Sequence, residues 1–218
     1  MNLVRKSLYL AVLLSAVTTS VAFATTINGT GGNDTLIGTN NNDTISARGG
    51  NDLVWGLGRD DTISGDDGND VLNGDGKCMP SGGVNYCTAD PNSDGKDLIA
   101  GGGGNDTLNG QGNSDGLSGG AGDDTLNGQG GTDGLSGDTG NDTIDGGPDS
   151  DGIAGGDGND RLTGGGGRDG IAGGDGNDVI NANDKETDAI SCGGGIDIVN
   201  ADPADSVTRD CETVNRIP

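Results

Sequence analysis

The sequence predicts an all-β fold, a flattened solenoid, and three observations predict it. An Asp followed two residues later by an aliphatic side chain recurs at every ninth residue through 29–73 and again through 92–181. The repeats alternate in kind, so the true period is eighteen, as expected if odd and even repeats lie on opposite edges of one coil. The composition, 48 Gly among 218 residues with one Trp, one Phe, two Tyr and no His, lies far from an ordinary globular mixture and leaves disorder or regular repetition. The unbroken aliphatic position excludes a plain disordered Gly/Asp polymer.

The first 24 residues differ from the rest. Arg5 and Lys6 precede an apolar run from Leu8 to Val17, and Ala22-Phe23-Ala24 supplies a small-x-small site, which predicts a secretion signal cleaved after Ala24. The run is shorter than the ~20 residues of a membrane span, so no transmembrane segment is expected once the signal is removed. The expected mature chain carries nine Lys and Arg against 35 Asp and Glu, a net charge of −26. Such a surface repels nucleic acid and anionic lipid and attracts cations.

Block one, within 25–73, carries Asp34, Asp43, Asp52, Asp61 and Asp70, with Leu36, Ile45, Val54, Ile63 and Leu72 as aliphatic partners. Block two, 92–181, carries Asp97, Asp106, Asp115, Asp124, Asp133, Asp142, Asp151, Asp160, Asp169 and Asp178, and their partners run from Ile99 to Ile180. Between the blocks, 74–91 would put Ser81 and Asp90 at core positions, so it reads as an insertion loop pinned by Cys78 and Cys87, whose length of eighteen keeps the edges in phase. The tail, 182–218, keeps fragments of the period at Asp188 and Ile190 and at Asp197 and Val199, and reads as a cap over the last open strand, fastened by Cys192 and Cys211. In an exported chain these local cysteine pairs are expected as disulfides; without His, a zinc site would need all four together.

"GGDGNDRLT" at 155–163 and "GGDGNDVIN" at 173–181 resemble the glycine-rich nonapeptide GGxGxDxUx of the RTX, or hemolysin-type, calcium-binding proteins. The resemblance implies a right-handed parallel β-roll with two nonapeptides per coil. It implies six turn residues that hold calcium and three strand residues in each repeat. The chemistry agrees with this. Carboxylates stacked at the ~4.8 Å strand spacing repel unless a cation lies between them. Calcium accepts carboxylate and main-chain carbonyl oxygens in flexible geometry. The expected cofactor is therefore several Ca2+ ions, with a chain that is largely disordered without them.

The two edges are unequal in sequence. Before Asp34, Asp52, Asp70, Asp106, Asp124, Asp142, Asp160 and Asp178 stands Gly-Asn, with Gly122-Asp123 the single variant. Before Asp43, Asp61, Asp97, Asp115, Asp133, Asp151 and Asp169 the turn residue two earlier is Asn41, Arg59, Gly95, Asn113, Gly131, Asp149 or Gly167. The first series is the expected strong calcium edge. The second is the expected weak one, with Arg59 competing with a cation.

The function expected is that of a secreted calcium-binding β-roll, extracellular with the periplasm as the other candidate compartment, in a structural or interaction role with a protein or surface partner that the sequence does not name. The alternative is an ice- or surface-binding, adhesive β-solenoid, although residue three of the strong-edge turns forms no Thr ladder. A carbohydrate-active enzyme ranks below both, since every repeat Asp is accounted for by the period and no nucleophile and base stand out from it. No catalytic residue is expected.

Overall fold

Alternation along a strand turns the aliphatic residue of each repeat to one side and its two neighbours to the other, so a stack of such strands buries one row of side chains. In the computed structural model, which describes residues 24–75 and 95–217, the strands form two parallel sheets of ten. The first sheet contains β1 (Thr26–Asn28), β3 (Thr44–Ser46), β5 (Thr62–Asp67), β7 (Leu98–Gly103), β9 (Gly116–Ala121), β11 (Gly134–Thr139), β13 (Gly152–Asp157), β15 (Gly170–Asp175), β17 (Ala189–Gly194) and β19 (Ser206–Val207), in that order. The second contains β2 (Thr35–Ile37), β4 (Leu53–Leu57), β6 (Val71–Asp75), β8 (Thr107–Gly112), β10 (Thr125–Gly130), β12 (Thr143–Gly147), β14 (Arg161–Gly165), β16 (Val179–Ala182), β18 (Ile198–Ala201) and β20 (Thr213–Arg216). The fold is a β-solenoid, as expected.

Register confirms the coil of eighteen. Ile45 pairs with Ile63, Leu117 with Leu135 and Leu126 with Ile144. The aliphatic row from Ile45 to Val199 is buried between the sheets, while Ile27 and Leu36 in the first coil are only partly buried. Strands are longer than the three residues expected. Most beyond the first coils have five or six, because pairing continues into the turn, as where Asp138 and Thr139 meet Gly156 and Asp157.

At the break between blocks, Ile63 pairs with Ile99 and Leu72 with Leu108. One coil's length of sequence is stepped over and both edges stay in phase. The expected Cys78 and Cys87 pairing and residues 1–23 of the expected secretion signal lie outside the described residues.

The tail continues both sheets but loses the strict step. Ile171 pairs with Ile190, Ile190 with Val207, and Val199 with Val214. Cys192 and Cys211 form the expected disulfide, with their Cα atoms 5.2 Å apart. Among the described residues no helix is long and apolar enough to cross a membrane.

Candidate metal centre

Within the regular repeats each connection between sheets spans six residues, numbered here 1 to 6 with the repeat Asp at 6. The strong edge runs from the first sheet to the second, as in Gly119–Asp124, which overlaps the end of β9 and leads into β10; the weak edge returns. On both edges the Asp at turn residue 6 points inward. Asp52, Asp70, Asp106, Asp124, Asp142, Asp160 and Asp178 are buried, and so are Asp43, Asp61, Asp97, Asp115, Asp133, Asp151 and Asp169.

The two oxygens of each carboxylate have different fates. Oδ1 accepts the backbone N–H of the Asp one coil earlier. Asp124 donates to Asp142 at 2.8 Å and Asp142 to Asp160 at 2.8 Å on the strong edge; Asp115 donates to Asp133 and Asp133 to Asp151, both at 2.8 Å, on the weak edge. Oδ2 is buried without a hydrogen-bond partner at Asp52, Asp70, Asp106, Asp124, Asp142, Asp160 and Asp178, and on the other edge at Asp61, Asp133, Asp151 and Asp169. An orphaned charged oxygen inside a protein is costly and calls for a partner.

The space around Oδ2 is shaped by main chain. A Cβ placed on Gly128, at turn residue 1, would lie 2.5 Å from Asp133 Oδ2 and 2.6 Å from the carbonyl oxygen of Gly146 in the next coil; Gly146 repeats this with Asp151 and Gly164. Turn residue 4 approaches its neighbour as closely. Gly158 has φ 142°, and a side chain there would strike the carbonyl of Gly140. Among the described residues no three acidic or cysteine side chains converge into a metal cluster. Any ion held here must therefore draw on main-chain carbonyls beside the carboxylates, which is the donor set of a hard cation.

The carboxylates resist ionisation in this setting. Burial raises Asp61 to about 8, with the nearby carboxylates of Asp97 and Asp43 adding to it and the Asp43 backbone N–H acting against it. Asp124 and Asp151 are raised to about 7, and Asp106 and Asp178 to about 6, again chiefly by burial. Mutual repulsion, expected from the sequence as the principal effect, is a lesser contribution than desolvation.

The RTX calcium-binding nonapeptide repeat matches residues 28–58, 49–76, 92–126, 114–144, 127–162 and 145–180. The chain belongs to that family. No curated protein matches it. The RTX repeat explains both inner features, the carboxylate file and the glycine-lined carbonyls.

The Gly-Asn-Asp of the strong RTX edge divides into three separate jobs. Gly supplies the left-handed turn, Asp builds the inner file, and Asn builds a second file outside it. Asn141 Oδ1 accepts the backbone N–H of Asn159 at 3.0 Å, and Asn159 Oδ1 that of Asn177 at 2.9 Å. On the weak edge the outer file is mixed, with Ser114 Oγ accepting from Thr132 and Ser150 Oγ from Arg168. Weak-edge turns take the same left-handed backbone with ordinary residues, including Leu57 (φ 94°), Arg59 (φ 73°), Asn113 (φ 68°) and Asp149 (φ 80°). Arg59 is exposed, so its side chain stands outside the carboxylate file and not within it.

The ends of the RTX roll are built differently. Asp34 Oδ2 accepts the backbone N–H of Thr30 at 2.6 Å and its hydroxyl at 2.9 Å; Asp43 Oδ2 accepts those of Thr39 at 2.5 and 3.0 Å. At the far end the files run beyond the expected site residues. Asp178 donates to Asp197 and Asp169 to Asp188, each at 2.8 Å. Asp188 in turn donates to Asp205, and Asp197 to Glu212. Both oxygens of Asp205 accept backbone N–H groups, and Arg216 reaches the carbonyls of Asp202 and Asp205 at 2.5 and 3.2 Å. The signal for these residues was present: Asp205-x-Val207 and Glu212-x-Val214 keep the acid-x-aliphatic rule after the nine-residue step has slipped.

Proposed function

We propose that this protein is an exported calcium-binding β-roll that folds as calcium binds and then serves as a structural or interaction scaffold with no chemistry of its own. The observation that carries this reading is the file of buried Oδ2 atoms without hydrogen-bond partners beside main-chain carbonyls of the next coil. Calcium supplies the positive charge that lets these carboxylates ionise in place and takes oxygens of both kinds.

The residues proposed to hold it on the strong edge are Asp52, Asp70, Asp106, Asp124, Asp142, Asp160 and Asp178, while Asp34, its second oxygen bonded to Thr30, closes the file. On the weak edge they are Asp61, Asp97, Asp115, Asp133, Asp151 and Asp169, while Asp43, its second oxygen bonded to Thr39, closes the file. The strong edge fills first in this reading. A left-handed backbone costs roughly 1–2 kcal/mol at a residue with a Cβ, less for Asn or Asp, and the weak edge carries more such residues at turn residues 2 and 4. Export rests on the leader read in residues 1–24, and the Cys192–Cys211 disulfide suits an oxidising compartment.

Equilibrium dialysis with radioactive calcium tests the assignment. The mature chain is expected to bind several ions in two classes, and Asp142→Ala to lose more from the tighter class than Asp133→Ala does. A single class, with both substitutions equivalent, would overturn the order of filling. No binding at all would overturn the function.

A further inference from the structure

The outer face of the second sheet carries a polar array apart from the carboxylate files. Thr107, Thr125 and Thr143 stand in one row, paired strand to strand, and Asn73, Asn109 and Asn127 in a parallel one. The Asn row is a hydrogen-bonded ladder. Asn73 donates to the Val54 carbonyl at 2.9 Å, Asn109 Nδ2 to Asn73 Oδ1 at 3.1 Å, and Asn127 Nδ2 to Asn109 Oδ1 at 3.0 Å. Each amide thus has its nitrogen turned toward the preceding coil. The ladder stops at Asn127, because its partner on the next strand is Asp145, which has no N–H to donate.

A groove of about 370 Å³ opens at this break, lined by Gln111, Asn127, Gln129, Asp145, Gly147 and Pro148. Its shape follows from sequence. Gln111 and Gln129, stacked in register, hold left-handed backbones (φ 83° and 73°) in successive weak-edge turns. At the same place one coil on stands Gly147 (φ 110°), so the side-chain wall ends there and a step remains, flanked by exposed Pro148. Gln111 is anchored by donating to the Asp75 carbonyl at 2.6 Å. The side chains of Gln129 and Asp145 are exposed and bond to no other described residue, and Asn127 Oδ1 is uncommitted.

The groove therefore offers two acceptors on adjacent strands, ~4.8 Å apart, with an amide alongside that both donates and accepts. The wall beside them is made of Gly147 and Pro148. We infer that this groove binds a neutral polysaccharide. Paired sugar hydroxyls donate to Asn127 Oδ1 and the Asp145 carboxylate, the Gln129 amide meets a further hydroxyl, and the C–H face of a ring lies on Gly147 and Pro148. An anionic glycan is disfavoured by the chain's net charge of −24.

Retention of the calcium-loaded mature chain on cellulose, chitin and cross-linked dextran, each insoluble and uncharged, tests the site. The wild-type chain is expected to be retained on at least one. Asp145→Ala and Gln129→Ala should each weaken retention about tenfold, the effect of one hydrogen-bonding side chain of ~1.4 kcal/mol. Circular dichroism in the same buffer separates this from the calcium reading. A folded wild-type chain that none of the three retains, or one retained equally by the double variant, would overturn the groove and leave the roll standing. The same β signal from wild type and variants shows that a lost retention reports the groove and not the fold.

Discussion

Inner coils and end coils use the same aspartate for different purposes. In the first coil, Asp34 and Asp43 have their second oxygens bonded to the amides and hydroxyls of Thr30 and Thr39. At the far end Asp205 has both oxygens on backbone amides. Between them the second oxygens of Asp52, Asp61, Asp70, Asp106, Asp124, Asp133, Asp142, Asp151, Asp160, Asp169, Asp178, Asp188 and Asp197 are buried without a hydrogen-bond partner. A coil closed by protein donors satisfies both carboxylate oxygens, whereas in an inner coil Oδ1 has a backbone N–H and Oδ2 has no donor. In the proposed calcium reading the ends terminate the cation file, with N–H and O–H groups in place of the ion.

The largest test of that contrast is in the core. Leu126→Ala, at a fully buried site, should destabilise the calcium-loaded roll by about 2–5 kcal/mol. Leu36→Ala, in the partly buried first coil, should cost less than half of that, and denaturant titration in excess calcium measures both. Similar losses at the two sites would mean that the first coil is as tightly packed as the interior.

The carboxylates come next. Asp142→Ala removes an acceptor for the Asp124 amide as well as the proposed ligand, and should cost about 1.5–3 kcal/mol and raise the calcium midpoint. For Asp34→Ala the calcium midpoint should scarcely move, and stability alone should fall.

Acidity should act on the ion-free chain in a definite direction. The inner carboxylates are raised from the ordinary 3.8, to about 8 at Asp61 and about 7 at Asp124 and Asp151. A group with a raised folded pKa takes up a proton on folding, so its penalty is absent below the ordinary carboxylate range and develops as pH rises toward the folded value. Without calcium, β structure should therefore be most stable near pH 4 and weaken up to about pH 8. Calcium should flatten this dependence. An ion-free chain that gains β structure with rising pH would contradict the orphaned carboxylates.

The smallest effect belongs to the threonine closures. Thr30→Ala keeps the backbone N–H but loses the hydroxyl bond to Asp34, for roughly 0.5–1.5 kcal/mol. Calcium uptake by the rest of the roll should be unchanged.

The eighteen-residue coil and the inward Asp were legible in the sequence because a solenoid converts sequence period directly into stacking. Four features were not. The outer Asn file looked like part of a metal motif, yet Asn141 and Asn159 bond outside it, to the neighbouring coil's amide. The closures at Thr30 and Thr39 depend on a local turn backbone that Gly-Thr does not announce. The extension to Asp205 and Glu212 was hidden by the slipped period, although the acid-x-aliphatic spacing persisted. The Gln129 and Asp145 groove arises from a change of residue type between adjacent coils, which becomes visible only once residues eighteen apart are placed side by side.

The most direct test of the whole account is far-UV circular dichroism of the disulfide-intact mature chain at neutral pH, titrated with calcium from a chelator-treated start and compared with magnesium. A cooperative gain of β signal with calcium alone is the predicted result. Complete β structure before any calcium is added would contradict it, because the buried files from Asp52 to Asp178 would then be tolerated without an ion.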